Sequence, residues 1–361
     1  MQNPLRRFTA LFSTVLLCGC LFTGCPFPSS SIVAFPIPPQ LDGEPVPVFL
    51  GDTTVAAPVQ EAAAVPQNPH LAANDRSGTH DDSYMSDTYE VSGPLGNDLQ
   101  VMSTYLSGIC VSMSFDRAGR LITICISANH TRLWMIDPVT LVPLCYLELP
   151  ANPYVPGTFP SGSYFLLDNH DRALIPTINR TVWEVSEKGP EWAPSFELTH
   201  VYDLTGAVTD EDDQIGSVVP DFTGRLWFVS DLGVVGTIAP KSGKVASVRL
   251  PEDELIGNSF AIDETGGVFI ASDHAMYRFD ADASGAPVQT WRETYDRGSG
   301  LKPGQHAQGT GTTPTLMGTK YVTITDNADE YMNVLVYRRE KTVEGERLVA
   351  KQPVFEAYKG C

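Results

Sequence analysis

The sequence predicts an all-β fold, a β-propeller of about five to seven four-stranded blades behind a disordered N-terminal tether. Three observations predict it. A strand–turn–strand pattern recurs along the chain with a period of about fifty residues. The turns share one chemistry, opening on aspartate and mostly passing through glycine. Helical periodicity over long windows is nearly absent.

Five segments carry the pattern, at Val111–Ile124, Tyr164–Ile175, Val218–Val229, Phe260–Ala271 and Pro314–Ile324. Each reads as an apolar strand, a polar turn and a second apolar strand. The turn aspartates Asp116, Asp168, Asp221 and Asp263 are spaced by 52, 53 and 42 residues, and Met317 takes the aspartate's place in the fifth unit. Aspartate opens such a turn by accepting from backbone donors ahead of it, and glycine takes the left-handed position near its end. A third strand follows at Arg132–Ile136, Thr181–Val185, Val234–Ile238, Ala275–Phe279 and Asn333–Tyr337. A fourth is visible at Leu144–Leu149 and Lys244–Leu250. Four strands per unit describe a propeller blade better than a sandwich. The chain stops soon after the fifth unit, so the ring is either closed by strands between Tyr84 and Leu106 or incomplete.

The stretch Ile256–Ala271 resembles the repeat of the SMP-30/gluconolactonase and strictosidine-synthase-like propellers, and the segment from Pro66 to Cys361 resembles a group of uncharacterised bacterial propeller proteins. The first resemblance implies a calcium site of acidic and asparagine side chains at the central channel. Of its ligands, Asn258 is the one position that matches. It also implies a metal-dependent lactonase or esterase, with Ca²⁺ polarising a carbonyl.

The N-terminus reads as an export signal with a lipid anchor, which makes the chain a lipoprotein. Arg6 and Arg7 supply positive charge, and Phe8–Leu17 forms an apolar run too short to span a bilayer. Arg6-Arg7 lacks the flanks of a twin-arginine signal. Leu17-Cys18-Gly19-Cys20 fits a lipobox with Cys20 as the acylated residue, and Phe22-Thr23-Gly24-Cys25 offers Cys25 as the alternative. The expected organisation is a signal peptide over 1–19, a proline- and alanine-rich tether over 20–69 and the propeller over 70–361. Part of Val46–Leu50 is a candidate for packing on the domain. Each buried acyl CH₂ contributes about 0.8 kcal/mol, so the lipid holds the chain to a bilayer without a spanning helix. Leu21 follows the lipid site in place of an inner-membrane retention aspartate, which points to the outer membrane of a two-membrane envelope, facing the periplasm or cell surface.

A formal net charge of −19 argues against nucleic acid, whose phosphates need clustered Lys and Arg. It permits cationic ligands, or serves solubility alone. The exported context permits disulfides. If Phe115 pairs with Arg120 across the first turn, Cys110 falls opposite Cys125, within reach of a bridge; two buried thiols are the alternative. Cys145 and Cys361 have no assigned partner.

Three polar clusters are candidate cation sites. Asn74–Tyr84 offers His80, Asp81 and Asp82, or is a solvated loop. Asp168–Asp171 sits in an expected hairpin turn, where a structural role is the simpler reading. Asp326, Asn327 and Asp329 present oxygen ligands without a full EF-hand loop. Nucleophile elbows, HExxH motifs, P-loops and dinucleotide fingerprints are absent from the sequence, and the five tryptophans fall at no repeated position, against a quinone cofactor. Two functions compete. One is a binding module for a small-molecule or protein ligand, and the other is the calcium-dependent hydrolase. The hydrolase requires at least three Asp, Glu, Asn or His side chains from different blades meeting at an open channel; a filled channel excludes it.

Overall fold

The structure, a computed structural model, describes residues 64–78, 80–89, 102–106, 108–127, 129–151, 162–251, 254–302, 305 and 308–356. The signal, Cys20, Cys25, Val46–Leu50 and Cys361 lie outside these residues. The chain divides into two compact units, Met1–Val46 with Val101–Tyr105, and Pro47–Gln100 with Leu106–Cys361. Of the first, residues 102–105 are described and form no strand or helix. The second carries all the sheets.

Among the described residues twenty strands form five antiparallel sheets, each running in simple sequence order. The first holds β1 (Ile109–Phe115), β2 (Leu121–Ile126), β3 (Thr131–Ile136) and β4 (Pro143–Glu148). The second holds β5 (Leu166–Leu167), β6 (Ala173–Pro176), β7 (Thr181–Lys188) and β8 (Ser195–Asp203). The third holds β9 (Ile215–Pro220), β10 (Leu226–Ser230), β11 (Val234–Ala239) and β12 (Lys244–Arg249). The fourth holds β13 (Ala261–Ile262), β14 (Val268–Ala271), β15 (Ala275–Ala281) and β16 (Pro287–Thr294). The fifth holds β17 (Thr315–Met317), β18 (Tyr321–Thr325), β19 (Tyr331–Arg338) and β20 (Leu348–Glu356). This is a β-propeller, and the described residues supply the lower end of the expected blade count. No helix occurs among them, and none long and apolar enough to cross a membrane.

Burial explains the strand compositions. β6, β10 and β14 are buried along their whole length, so both faces of each must be apolar and the strands read as near-continuous hydrophobic runs. The outer strands β8 and β12 are mostly exposed and carry Glu, Lys, Arg and Ser. Each large apolar side chain moved from water into these interfaces contributes roughly 1.5–3 kcal/mol. The main core runs through the second to fifth sheets, with Trp227, Phe228, Phe260, Phe269 and Tyr277 among its members. A second cluster joins the first two sheets through Ile122, Ile124, Leu133 and Phe165.

The repeated turn is built as its composition requires. In the first, Asp116 accepts from the backbone N–H of Arg120, and its own carbonyl accepts from Gly119. Asp168 with Arg172 and Asp221 with Arg225 repeat the arrangement, and each arginine side chain also binds the aspartate four residues before it. Gly119, Gly224 and Gly266 take the left-handed conformation at φ 82°, 86° and 86°. Asp171 fills that position in the second turn at φ 57°. The fourth turn departs from the pattern, because Gly267 stands where the others have arginine. Arg278 of β15 occupies the vacated space, and a Cβ on Gly267 would lie 2.6 Å from its Cζ.

Cys110 and Cys125 are joined by a disulfide, with Cα atoms 4.0 Å apart. The route to that pairing differs from the sequence expectation. Phe115 pairs with Leu121, not Arg120, and Ser112 with Ile124. A bulge between Cys110 and Ser112 then shifts the register and sets Cys110 opposite Cys125. A bulge leaves no periodic mark in a short strand, so turn counting misses it. Cys145 is buried on β4.

Candidate functional site

The first strands of the second, fourth and fifth sheets, β5, β13 and β17, are short. Tyr164, just before β5, bridges to Ser217 of β9. The Ser217 and Ser259 hydroxyls lie 2.7 Å apart, and Ser112 Oγ donates to the Ser163 carbonyl. Short inner strands leave unpaired backbone groups facing the channel, and these need partners.

The partners come from the chain ahead of the propeller. Asn68 is fully buried and donates through Nδ2 to the Pro220 carbonyl at 2.8 Å. The Ala72 N–H donates to the Leu167 carbonyl, and the Leu167 N–H returns to the Ser77 carbonyl. On the far side, Ile262 N–H donates to the Ser83 carbonyl at 2.8 Å and Leu316 N–H to the Tyr84 carbonyl at 2.9 Å. One segment therefore satisfies inner-strand donors in the second, fourth and fifth sheets and binds the third through Asn68. Leu71, Tyr84 and Met85 join the main core. The segment expected to end the tether packs from Val65 onward, and the stretch read as a metal site or solvated loop is a buried plug. Leu71, Tyr84 and Met85 were the available sequence signal, but three apolar residues among polar ones match neither strand nor helix periodicity.

Beneath this segment lies a pocket of about 30 Å³, lined by His80, Asp81, Tyr164, Ser217 and Ser259 among others. That is room for one or two waters. His80 lies 3.1 Å from Asp87 through Nδ1 and 3.0 Å from the Thr313 hydroxyl through Nε2. Asp82 accepts from the Tyr84 and Ser86 N–H groups and from the Ser86 hydroxyl. Burial raises its pKa above the ordinary carboxylate value. Asp81 Oδ1 and Ser83 Oγ are buried without a hydrogen-bond partner among the described residues. Burial pushes the Asp81 pKa up to about 7, and the Asp82 and Asp75 charges push the same way.

The other expected ligands lie apart. Asn258 accepts from the Tyr164 hydroxyl at 3.4 Å and donates to the Thr310 carbonyl. Asp326 is consumed by Asn333, whose backbone and side-chain nitrogens bind both its oxygens. Asn327 donates to the Arg297 carbonyl and accepts from Gln305, and Asp329 accepts from Ser299. Asn327 and Asp329 thus fasten Arg297, Ser299 and Gln305 to the fifth sheet. Among the described residues no group of three or more His, Cys, Asp or Glu side chains could hold a metal ion. The residues named from the sequence do not fit one Ca²⁺ ion, because their oxygens point to separate partners.

A second elevated carboxylate lies at the start of the β10–β11 turn. Burial pushes Asp231 up to about 7, against the hydrogen bond from Gln214, and neighbouring Asp213 adds to the rise. Gln214 Nε2 donates to Asp231 Oδ2 at 2.6 Å. For Asp81 and Asp231 the folded chain keeps a proton that the unfolded chain releases from the ordinary value of 3.8 upward. Their contribution is therefore fully present below about pH 4 and is lost as pH rises to about 7. The Asp81→Asn and Asp231→Asn variants gain thermal stability relative to the parent between about pH 5 and about pH 7.5. Thermal unfolding across that range checks this; a parent–variant difference independent of pH overturns it.

The chain matches no protein-family model. It is 30% identical over 208 residues to an uncharacterized protein of Archaeoglobus fulgidus, a match covering 54% of this chain and 39% of that protein. The chain thus spans well under half the length of this relative. Among solved structures it is similar to BamB of Moraxella catarrhalis (14% identity, TM-score 0.42, 83% of this chain and 92% of that one). It is also similar to a virginiamycin B lyase of Staphylococcus aureus (12%, 0.43, 71% and 75%) and to the WD40 domain of Toxoplasma gondii coronin (10%, 0.46, 66% and 57%). At these identities the likeness concerns the fold alone.

Proposed function

We propose that the chain is a lipid-anchored extracytoplasmic propeller that acts as a binding module for a small-molecule or protein ligand. The observation that carries the reading is the Asn68–Met85 segment bonded to the inner strands of the second, fourth and fifth sheets, with a pocket of only about 30 Å³ beneath it among the described residues. Small-molecule sites occupy roughly 300–1,000 Å³, so a lactone or ester has no room at the centre. Open space lies instead between blades, in clefts of about 320 and 450 Å³. The anchor rests on the lipobox, with Cys20 taking the lipid ahead of Cys25, and the surface charge disfavours nucleic acid as partner.

Two measurements test the two parts. Metabolic labelling with a fatty-acid probe marks the parent, and Cys20→Ala loses the label and leaves the membrane fraction. Retention of label in Cys20→Ala overturns that assignment. Purified protein shows neither a calcium-dependent thermal shift nor lactone turnover. Calcium-dependent turnover overturns the binding-module reading.

A further inference from the structure

The cleft between the second and third blades is larger than the channel and differs from it chemically. It has a volume of about 450 Å³, within the roughly 300–1,000 Å³ of small-molecule sites. Leu174, Leu226, Pro220 and Pro240 supply apolar surface, and the Tyr202 ring adds an aromatic wall.

Its acceptors are already spent. Asp168 takes two backbone N–H groups, of His170 and Arg172, and the Arg172 guanidinium. Glu184 takes Arg172, the Thr199 hydroxyl and the Tyr202 hydroxyl. Its donors are not. Arg225 lines the cleft and uses Nη1 on Asp221, while its Nε and Nη2 lie beside Gly285 of the β15–β16 turn with no acceptor among the described residues. Lys241 is exposed at the rim with no ion pair among the described residues. His70 stands over the third turn, its ring so close that a Cβ on Gly224 would lie 2.7 Å from Cε1. The plug segment thus places the His70 ring in the cleft wall, which joins that segment to the cleft.

Open cationic donors facing saturated acceptors favour a ligand that brings its own negative oxygens, because such hydrogen bonds are charge-assisted. The apolar walls favour a ligand with an unsubstituted hydrocarbon or aromatic portion. We infer that the cleft binds a small organic anion, a carboxylate or phosphate monoester with an apolar body, through Arg225, Lys241 and His70. This rests on the binding-module reading and names its ligand class.

Calorimetric titration of the full chain with phenyl phosphate, benzoate, inorganic phosphate and benzylamine tests it. Phenyl phosphate or benzoate binds with a Kd below about 1 mM, while benzylamine does not bind. Lys241→Glu weakens the anion by at least about tenfold without lowering the melting temperature, since Lys241 is exposed and makes no ion pair among the described residues. His70→Gln provides a second reading of the same wall. No anion binding, or binding unchanged in both variants, overturns the site. Equal binding of inorganic and phenyl phosphate overturns the apolar part of the assignment. Calcium-dependent lactone turnover overturns the binding-module reading without touching the cleft result, so the two failures are distinct.

Discussion

Replacing Arg278 with methionine lowers the unfolding free energy by about 3–5 kcal/mol, the cost of removing one partner from a buried ionic network. Arg278 is 2% exposed on β15. It donates from Nε and Nη2 to Asp280, from Nη1 to the Arg339 carbonyl and from Nη2 to the Thr265 hydroxyl. Asp263 Oδ2 lies 3.8 Å from its Nη1 and 3.7 Å from Arg339 Nε. Methionine fills much of the same volume, so the loss isolates charge and hydrogen bonding from packing. Lysine does not rescue it, because a single ammonium cannot span four acceptors fixed by a planar fork. Burial works to raise the Asp280 pKa, but hydrogen bonds from Arg278, Lys341 and Thr290 hold it below the ordinary value. Removing Arg278 leaves that carboxylate with only Lys341 and Thr290, and Arg278→Met/Asp280→Asn recovers part of the loss. Urea unfolding of the single and double variants checks the prediction; a loss below about 1 kcal/mol overturns it.

The second large effect lies in the plug. Tyr84 is 2% exposed, packs in the main core and donates its hydroxyl to Glu264. The Arg339 guanidinium sits 5.2 Å from the ring centroid. Burial, reinforced by Glu264, pushes the phenol up to about 12, so it stays a neutral donor at physiological pH. Tyr84→Ala costs about 3–5 kcal/mol through the cavity it leaves. Tyr84→Phe keeps the ring and costs about 1 kcal/mol for the hydrogen bond, since Arg339 still pairs with Glu264. If Tyr84→Ala unfolds at the same urea concentration as the parent, the segment is not an integral part of the propeller. Because the Ser83 and Tyr84 carbonyls accept from the inner-strand N–H groups of Ile262 and Leu316, the alanine variant also shows faster hydrogen exchange at Ile262 and Leu316.

The repeated unit was legible because its causes are local. The aspartate turn closes within five residues, and alternating or continuous apolar runs report directly whether a strand is outer or central. The exception at Gly267 was visible in the sequence as a missing arginine, but its replacement by Arg278, eleven residues on, required the β14–β15 pairing. The hairpin register is one residue off the sequence expectation because the Asp116–Arg120 loop holds five residues, and a bulge, which follows no period, then brings Cys110 opposite Cys125.

The candidate sites were less legible. His80, Asp82, Asn258, Asp326, Asn327 and Asp329 have the right chemistry for a cation, and the fold spends them on backbone donors and neighbouring side chains. The cleft residues His70, Arg225 and Lys241 drew no notice, since they belong to three separate turns and loops with no shared spacing.

What the sequence by itself determined is the all-β repeat, its turn chemistry and its strand order, because these depend on interactions between near neighbours. Only the tertiary structure decided that Asn68–Met85 fills the channel and that the open space lies between blades. Those outcomes depend on which unpaired inner-strand N–H groups remain after the sheets assemble, and the segment that satisfies them joins Leu167 of the second blade to Leu316 of the fifth, far apart in the chain.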